Sequence, residues 1–381
     1  MKRLFGILSV MLCATSMSYA HADEIVTVKT SDIEVPLNGA AANGKVIKSG
    51  YCGANVKYEL YDDYTLRIYG NGAMRNFELW GDDEPHPTSV PWVKEREKIG
   101  AIVIDNGVTH IGDNSFFSCS SLTKVTIPNS VTSIGEETFR ACTSLTKITI
   151  PNSVKSIGDY VFSDCSTLAD VTISNSITSI GLMAFSCCSS LAHVTIPNGV
   201  ASIGSYAFEY CPLTEIAIPN SVMSIGEGAF RACTPLTKIT IPSSVTSIED
   251  CAFEDCNNLK YIKIGKNVTK IGDRIVSQTG DDDLVIEITS EAPAALRGAD
   301  AFGFLCTIYV PENALETYLN AKYWKDHADQ IMPKNYTTGI SSIGSEQSEK
   351  KTVIYDLQGH RVTEMQPNGI YIVNGKKVVM K

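Results

Sequence analysis

The sequence predicts a repeat solenoid: about seven 23-residue units of parallel β-strand and short helical or irregular turns, closed by a cap at each end. Three recurrences carry that expectation. Ile-Gly returns at Ile111-Gly112, Ile134-Gly135, Ile157-Gly158, Ile180-Gly181, Ile203-Gly204, Ile225-Gly226 and Ile271-Gly272, with Ile248-Glu249 in the one gap. Five residues after each of the isoleucines from 111 to 248 comes a phenylalanine: Phe116, Phe139, Phe162, Phe185, Phe208, Phe230 and Phe253. Three further on stands a cysteine: Cys119, Cys142, Cys165, Cys188, Cys211, Cys233 and Cys256. Five of the six spacings between these cysteines are 23 residues and one is 22, the short one arising where Pro212-Leu213 follows Cys211 directly. Self-similarity at such a period marks stacked supersecondary units.

Within a unit, Val125 and Ile127 alternate with polar neighbours, which is the period of a half-buried strand. Pro128-Asn129 follows, with Pro and Asn expected at the two central positions of a β-turn. Pro has no N–H to give a ladder, so the strand ends there. Val131 and Ile134 form a second short extended stretch that Gly135 breaks. From Glu136 to Cys142, Phe139 and Cys142 lie three apart, compatible with one helical turn facing inward. A single unit buries too little alone, so stability comes from stacking in register on its neighbours, Leu on Leu and Phe on Phe.

The unit L-x-x-V-x-I-P-N-S-V-T-S-I-G-x-x-A-F-x-x-C-x-x resembles the BspA-like leucine-rich repeat family of bacterial secreted and surface proteins. The resemblance implies a leucine-rich-repeat solenoid and a secreted or surface-exposed interaction module. The commonest leucine-rich repeat has Asn at the ninth position, whereas Asn129, Asn152, Asn175, Asn198 and Asn220 occupy the eighth. Ser49-Gly-Tyr-Cys52-Gly, the alternation Val56, Tyr58, Leu60 against Leu66 and Ile68, and Val90-Pro91-Trp92 are similar to the family's N-terminal cap. Ile308-Tyr-Val-Pro311, followed by Ala314-Leu315, Tyr318-Leu319 and Trp324, is similar to its C-terminal cap.

The organisation along the chain follows. Residues 1–22 read as a secretory signal peptide: Lys2 and Arg3, an apolar run from Leu4 to Ala14, then Ser18-Tyr19-Ala20 and Ala20-His21-Ala22 as small-x-small cleavage patterns, so that cleavage falls after Ala20 or Ala22. The apolar run is too short to span ~30 Å of hydrocarbon. Residues 23–48 form an N-terminal extension and 49–110 the N-terminal cap, with a hairpin turning at Tyr61-Asp62-Asp63 and an incomplete repeat at 90–104. The repeats run over 111–272 and the C-terminal cap over 273–333, where Pro311-Glu-Asn opens an amphipathic helix with apolar residues at 314, 315, 318 and 319. Residues 334–350 read as a linker. Residues 351–381 read as strands with Asn374-Gly375 as a hairpin turn. This tail is similar to the end of type IX secretion sorting domains, which implies surface delivery or attachment.

Composition narrows the function. Of 381 residues, 32 are Lys or Arg and 42 Asp or Glu, a formal charge of -10. Loss of Lys2 and Arg3 with the leader makes this 30 minus 42, or -12. An acidic surface argues against nucleic acid, which needs a phosphate-neutralising basic face. Beyond the leader no stretch approaches the ~20 apolar residues of a membrane span. The 12 cysteines fall to 11 on cleavage. Their ladder lacks the paired C-x-x-C of a metal site, so a column of small buried thiols is expected, with Cys187 the surface thiol beside Cys188. Rungs ~4.8 Å apart stand within disulfide reach, and oxidation stays open at this stage.

A nucleophile pair of Cys187 and His193 has no third group recurring with it, and His193 falls on an expected strand. Six histidines form no ligand cluster. Asp281-Asp282-Asp283 lacks the spaced carboxylates and glycine of a calcium loop, so a solvated acidic loop is expected. Neither an enzyme nor a cofactor is expected.

What remains is the outward strand surface. One column reads Lys124, Lys147, Asp170, His193, Glu215, Lys238 and Tyr261; the next reads Thr126, Thr149, Thr172, Thr195, Ala217, Thr240 and Lys263. The varied column is the candidate ligand-binding face, since solenoids bind through extended faces; the Thr-rich one reads as β-favouring filler. The expected partner is an extracellular protein of host or bacterial origin. A glycan-binding accessory protein and a purely structural surface repeat are the alternatives, the glycan reading weakened because Tyr261 is the one aromatic on this face.

Overall fold

The computed structural model describes residues 44–78, 89–276, 284–303 and 306–334, with the strand segments 354–356, 361–362, 370–373 and 376–379. All of them fall in the compact unit Ala42–Lys381. The expected leader, the extension before residue 44, the loop at Asp281-Asp282-Asp283 and the linker beyond Lys334 lie outside the described residues.

The chain winds as a succession of coils held by ladders of hydrogen bonds on separate faces. Strands β1 (Val46–Tyr51), β2 (Val56–Tyr61) and β3 (Thr65–Gly70) form an antiparallel start to the first ladder. The ladder then turns parallel: β3 pairs with Ala101–Ile104, and that strand with Lys124–Thr126. Lys147–Thr149 pairs with Asp170–Thr172. Further on, Lys238–Ile241, Tyr261–Ile264, Leu284–Ile288, Cys306–Pro311 and Ile331–Lys334 pair in succession, so the coiling continues through the C-terminal region and includes Lys334. Two strands expected from the repeat are missing here. Residues 193–195 and 215–217 belong to no strand and pair with no neighbour.

The short stretches ending in Ile-Gly make a second parallel ladder. Ser156–Ile157 pairs with Ser133–Ile134, and Ser179–Ile180, Ser202–Ile203, Ser224–Ile225, Ser247–Ile248 and Lys270–Ile271 pair rung to rung. The β-turn between the two ladders sits one residue later than expected. Val131 N–H donates to Pro128 C=O at 3.1 Å, and Val154, Val200, Val222 and Val245 repeat the bond, so Asn129 and Ser130 are the central pair. Proline ends the strand because it cannot donate, and its carbonyl is free to open the turn.

On the third face the turn at Glu136–Cys142 takes the irregular of the two expected forms, helical or irregular. The segment is irregular, and its main bonds run between coils. Glu137, Phe139 and Ala141 N–H donate to Asp159, Val161 and Ser163 C=O of the next coil at 2.9, 3.0 and 2.8 Å. Left-handed residues make this possible: φ is 52° at Glu137 and 58° at Ala141, and the same register is left-handed at Tyr160, Asp164, Met183, Cys187, Tyr206 and Tyr210. A non-glycine residue there costs ~1–2 kcal/mol, which the bonds to the next coil offset. Gly228 (φ 56°) takes the same register without that cost.

The core is a set of columns. Phe139 to Phe253 stack face to face with centroids 5.4–5.6 Å apart at each step, and Phe116 packs on Phe139 at 5.3 Å with its ring tilted by 31°. Trp92 stacks on Phe116 at 6.0 Å and covers the first coil, with its indole N–H on Ser115 C=O at 3.0 Å. At the other end Trp324 packs edge-on to Tyr318 and against Phe302. The expected helix there is a 3₁₀ turn at Glu312–Ala314 leading into Leu315–Asn320, with Ala314, Leu315 and Tyr318 buried. In the tail, Ile354–Asp356, Arg361–Val362, Ile370–Val373 and Lys376–Val379 form antiparallel pairs, while the turn expected at Asn374-Gly375 lies outside the described residues.

Candidate interaction face

The cysteine column proves structural in its geometry. All seven ladder cysteines are free and buried. From Cys142 to Cys256, each thiol donates to the carbonyl of the phenylalanine one coil earlier: Cys165 to Phe139 at 3.1 Å, Cys188 to Phe162 at 3.2 Å, Cys211 to Phe185 at 3.1 Å. Thiols suit this position because they are small, apolar enough to bury and still weak donors. Burial pushes Cys119 and Cys165 up to about 12, so these thiols keep their protons at neutral pH. Cys187 is half-buried and lies on the turn face, apart from the column. Among the described residues, no group of three or more His, Cys, Asp or Glu side chains could hold a metal ion.

The varied strand column behaves differently. Lys124, Lys147, Asp170, His193, Glu215 and Lys238 are exposed, and Tyr261 is half-buried. Neighbouring rungs carry complementary charge. Lys147 Nζ meets Asp170 at 2.8 Å. His193 Nδ1 lies 4.0 Å from Glu215, whose side chain is 86% exposed. Lys238 Nζ sits 5.2 Å above the Tyr261 ring. Pairs this exposed contribute at most ~1 kcal/mol each. They leave the charges available to solvent and to a partner.

Asp170, His193, Glu215 and Lys238 also border a depression of about 1190 Å³ on this face, floored by half-buried Val194 and buried Ile216. Lys124, Lys147 and Tyr261 stand outside it. The depression coincides with the two unpaired rungs. His193, expected on a strand, is therefore at an opening in the sheet. The visible local difference is the 22-residue spacing: Leu213 N–H closes on Cys211 C=O at 2.8 Å, where Leu236 N–H reaches back one residue further to Cys233 C=O at 3.0 Å.

Two features are absent from the sequence-based expectation. Glu287 occupies the Thr-rich column, in register with Lys263, yet is only 3% exposed. It accepts hydrogen bonds from Tyr261 Oη at 2.7 Å and from Lys334, and pairs with Lys263 at 3.1 Å. Burial pushes its carboxyl up, but the bonds from Lys334, Tyr261 and Lys263 outweigh that and bring it down to about 2. The signal in the sequence was a single Glu in the apolar run Leu284–Ile288. The turn face holds the second feature, an Arg231 guanidinium that donates to Glu209 and Asp255, each at 3.3 Å, beside the half-exposed Tyr210. Burial pushes Glu209 up against the pull of Arg231.

Among the described residues no helix is long and apolar enough to cross a membrane. No curated protein matches the chain. Three bacterial structures share partial likeness with it. A leucine-rich repeat protein from Bacteroides ovatus is 20% identical over 74% of this chain and 98% of that one, with a TM-score of 0.38. The pneumococcal vaccine antigen PcpA is 17% identical over 76% and 98%, at 0.40. The T. pallidum leucine-rich repeat protein is 25% identical over 58% and 82%, at 0.35. The family model described as BspA type leucine rich repeat region matches residues 94–212 and 179–289 in 6 copies, together more than half of the 381 residues. The chain belongs to the BspA type leucine rich repeat family.

Proposed function

We propose that this protein is a secreted or cell-surface protein-binding module that adheres to host or bacterial proteins through its strand face. The observation that supports this reading is the column Lys124, Lys147, Asp170, His193, Glu215, Lys238 and Tyr261, which is chemically varied and exposed along most of its length, with Asp170, His193, Glu215 and Lys238 bordering a depression. A solenoid whose core repeats and whose surface varies separates folding from recognition, as an extended binding face requires. The leader at 1–22 and the tail at 351–381 supply export and surface delivery in this reading. No catalytic role is proposed.

The test is binding of the mature chain to arrays of extracellular-matrix proteins and glycans, repeated with Lys124, Lys147 and Lys238 changed to Glu. Saturable binding to a protein, weakened by the three changes, supports the proposal. Binding that the changes leave untouched removes the strand column, and capture by glycans alone replaces the ligand class. The tail is tested separately: equal surface export of a chain ending at Asn335 removes its sorting role.

A further inference from the structure

The first ladder begins on β1, and among the described residues no strand pairs with its outer side. An edge strand presents a row of main-chain groups to any extended chain that lies beside it. The register says which groups these are, because alternate residues of an antiparallel strand point N–H and C=O to opposite sides. Cys52 N–H donates to Val56 C=O at 2.9 Å, so Cys52 faces β2, and Gly50 and Lys48 face it too. Ser49 and Tyr51 therefore turn their groups outward. The alternation holds across the sheet: Ile68, in register with Tyr58 and through it with Gly50, faces away from β2 and receives Asp105 N–H at 2.8 Å. Natural edges are blunted by charge, proline or a bulge. The edge at the other end of the solenoid follows that rule, since Ile331–Lys334 carries Pro333 and Lys334. On β1 the bulge is confined to the start, between Val46 and Lys48, and Lys48 is held by Glu95 at 2.9 Å. The strand instead exposes apolar side chains. Val46, Ile47 and Tyr51 are 41%, 50% and 61% exposed, three of the five large apolar side chains so exposed among the described residues.

We propose that the outer edge of β1 receives an extended segment of a protein partner, which pairs its main chain with Ser49 and Tyr51 and brings an acidic side chain to Lys57. Charge selects the acid. Lys57 Nζ lies 5.1 Å from the centre of the Tyr51 ring, beside the side chain that borders the open edge, and has no carboxylate partner among the described residues. The carboxylates around β1 are engaged: Glu95 by Lys48, Glu59 by the Tyr61 and Tyr69 hydroxyls, and Asp62 and Asp63 by the amides of Lys45 and Thr65. Apolar residues two places either side of the acid share its face. They lie against Val46 and Tyr51, where β-branched side chains beside an aromatic ring form favourable cross-strand pairs. Main-chain pairing supplies affinity, and the acid with its apolar flanks supplies selection. β1 opens the ladder that leads to Lys124–Thr126, so the edge adjoins the strand column. It uses none of the column's residues, and the contact goes beyond the reading above.

The test uses the mature chain with the capped heptapeptide Ac-Thr-Ile-Thr-Glu-Thr-Ile-Thr-NH2 and the same peptide with Lys in place of Glu. Affinity is read by titration, and amide hydrogen exchange by mass spectrometry shows where binding occurs. The glutamate peptide is expected to slow exchange at 46–51. It should bind about fivefold more tightly than the lysine peptide, since the swap turns one exposed attraction into a repulsion. Lys57→Glu should reverse that preference. Ser49→Pro removes an outward donor and leaves the bonds to β2, as proline does at an edge position whose N–H faces solvent; it should abolish the protection. Equal affinity for both peptides, a preference that Lys57→Glu leaves unchanged, or no binding at millimolar peptide overturns the inference. So do Ser49 and Tyr51 amides already slow in the free chain, which would show the edge occupied, and a free chain that dimerises through 46–51. The two readings fail separately. Array binding that the Lys124, Lys147 and Lys238 changes weaken, without peptide protection, keeps the strand column and loses the edge. Peptide protection at 46–51 without any array partner does the reverse.

Discussion

Glu287 ties the last repeats to the C-terminal cap, and acid should loosen that tie. Its carboxylate sits between Lys263 on one strand and Lys334 two strands away, with Tyr261 donating from the side. The folded value of about 2 lies below the reference of 4.5. A carboxyl held below its unfolded value stabilises the fold above that value and loses its contribution as pH falls through the folded one. At 1.36 kcal/mol per unit the contribution is about 3 kcal/mol at neutral pH, nearly all of it lost between about pH 5.5 and pH 2. Other carboxylates titrate in the same window, so Glu287→Gln serves as the subtraction. The assay is native-state hydrogen exchange of the strands Leu284–Ile288 and Ile331–Lys334 from pH 7 to pH 2, corrected for intrinsic exchange. Near neutrality the substitution should accelerate opening of these strands by the equivalent of about 3 kcal/mol, the contribution of the buried carboxylate. At pH 2 the two proteins should converge. A constant difference across the range would show that Glu287 acts by packing and not by charge, and the assignment of its low value would fall.

Three further outcomes follow from the columns. Phe185 stacks on Phe162 and Phe208, both at 5.4 Å, while Phe253 stacks on Phe230 alone among the described rings. In urea unfolding, Phe185→Leu should therefore cost about 1 kcal/mol more than Phe253→Leu, the worth of one ring pair; equal losses would reduce the stack to plain burial. Cys187, whose thiol burial also pushes up, should be the first to alkylate in the native protein at pH 8, with the ladder thiols labelled only in denaturant; a ladder disulfide found by mass spectrometry contradicts this. Ala141→Gly, at φ 58°, should raise stability by up to about 1 kcal/mol in the same urea assay. A loss of that size would mean the left-handed turn carries no strain.

The repeat was legible because core positions recur with almost no variation: each coil must place its Leu, Phe and Cys on those of the neighbouring coil, and the sequence repeats that demand seven times. The third face was not, since Glu137, Ala141, Tyr160 and Cys187 are not residues that announce a left-handed backbone. One residue did announce it. Gly228 stands in the register of Tyr206 and Cys251, which marks the position as one where glycine is at home. The outward column was legible as a list of side chains but not as a surface. Asp170, His193, Glu215 and Lys238 surround an opening that their identities do not encode, because Leu191 to Ile196 keeps the same alternation as the coils that pair. Glu287 escaped for the opposite reason: its partner Lys334 lies 47 residues away, beyond the reach of any local pattern.

The opening itself has a local cause that can be reversed. Cys211-Pro212-Leu213 lacks one residue relative to Cys233-Thr234-Pro235-Leu236, and only the longer version leads into a paired strand, Lys238–Ile241. The shorter loop closes Leu213 on Cys211, and Glu215–Ile218 after it make no backbone bond, while the Phe, Cys and Ser-Ile columns of the same coil hold their register. Inserting Thr after Cys211 reproduces the longer loop. The inserted protein should form backbone bonds from Glu215–Ile218 to Lys238–Ile241, and three such bonds at about 1 kcal/mol each would slow exchange of the amides involved by roughly a hundredfold. The Phe, Cys and Ser-Ile columns on either side should keep their register, so the solenoid stays folded. Exchange that stays fast at 215–218 in a folded insertion variant would refute the deletion as the cause, and would place the origin of the opening in the His193 coil, whose loop has the ordinary length.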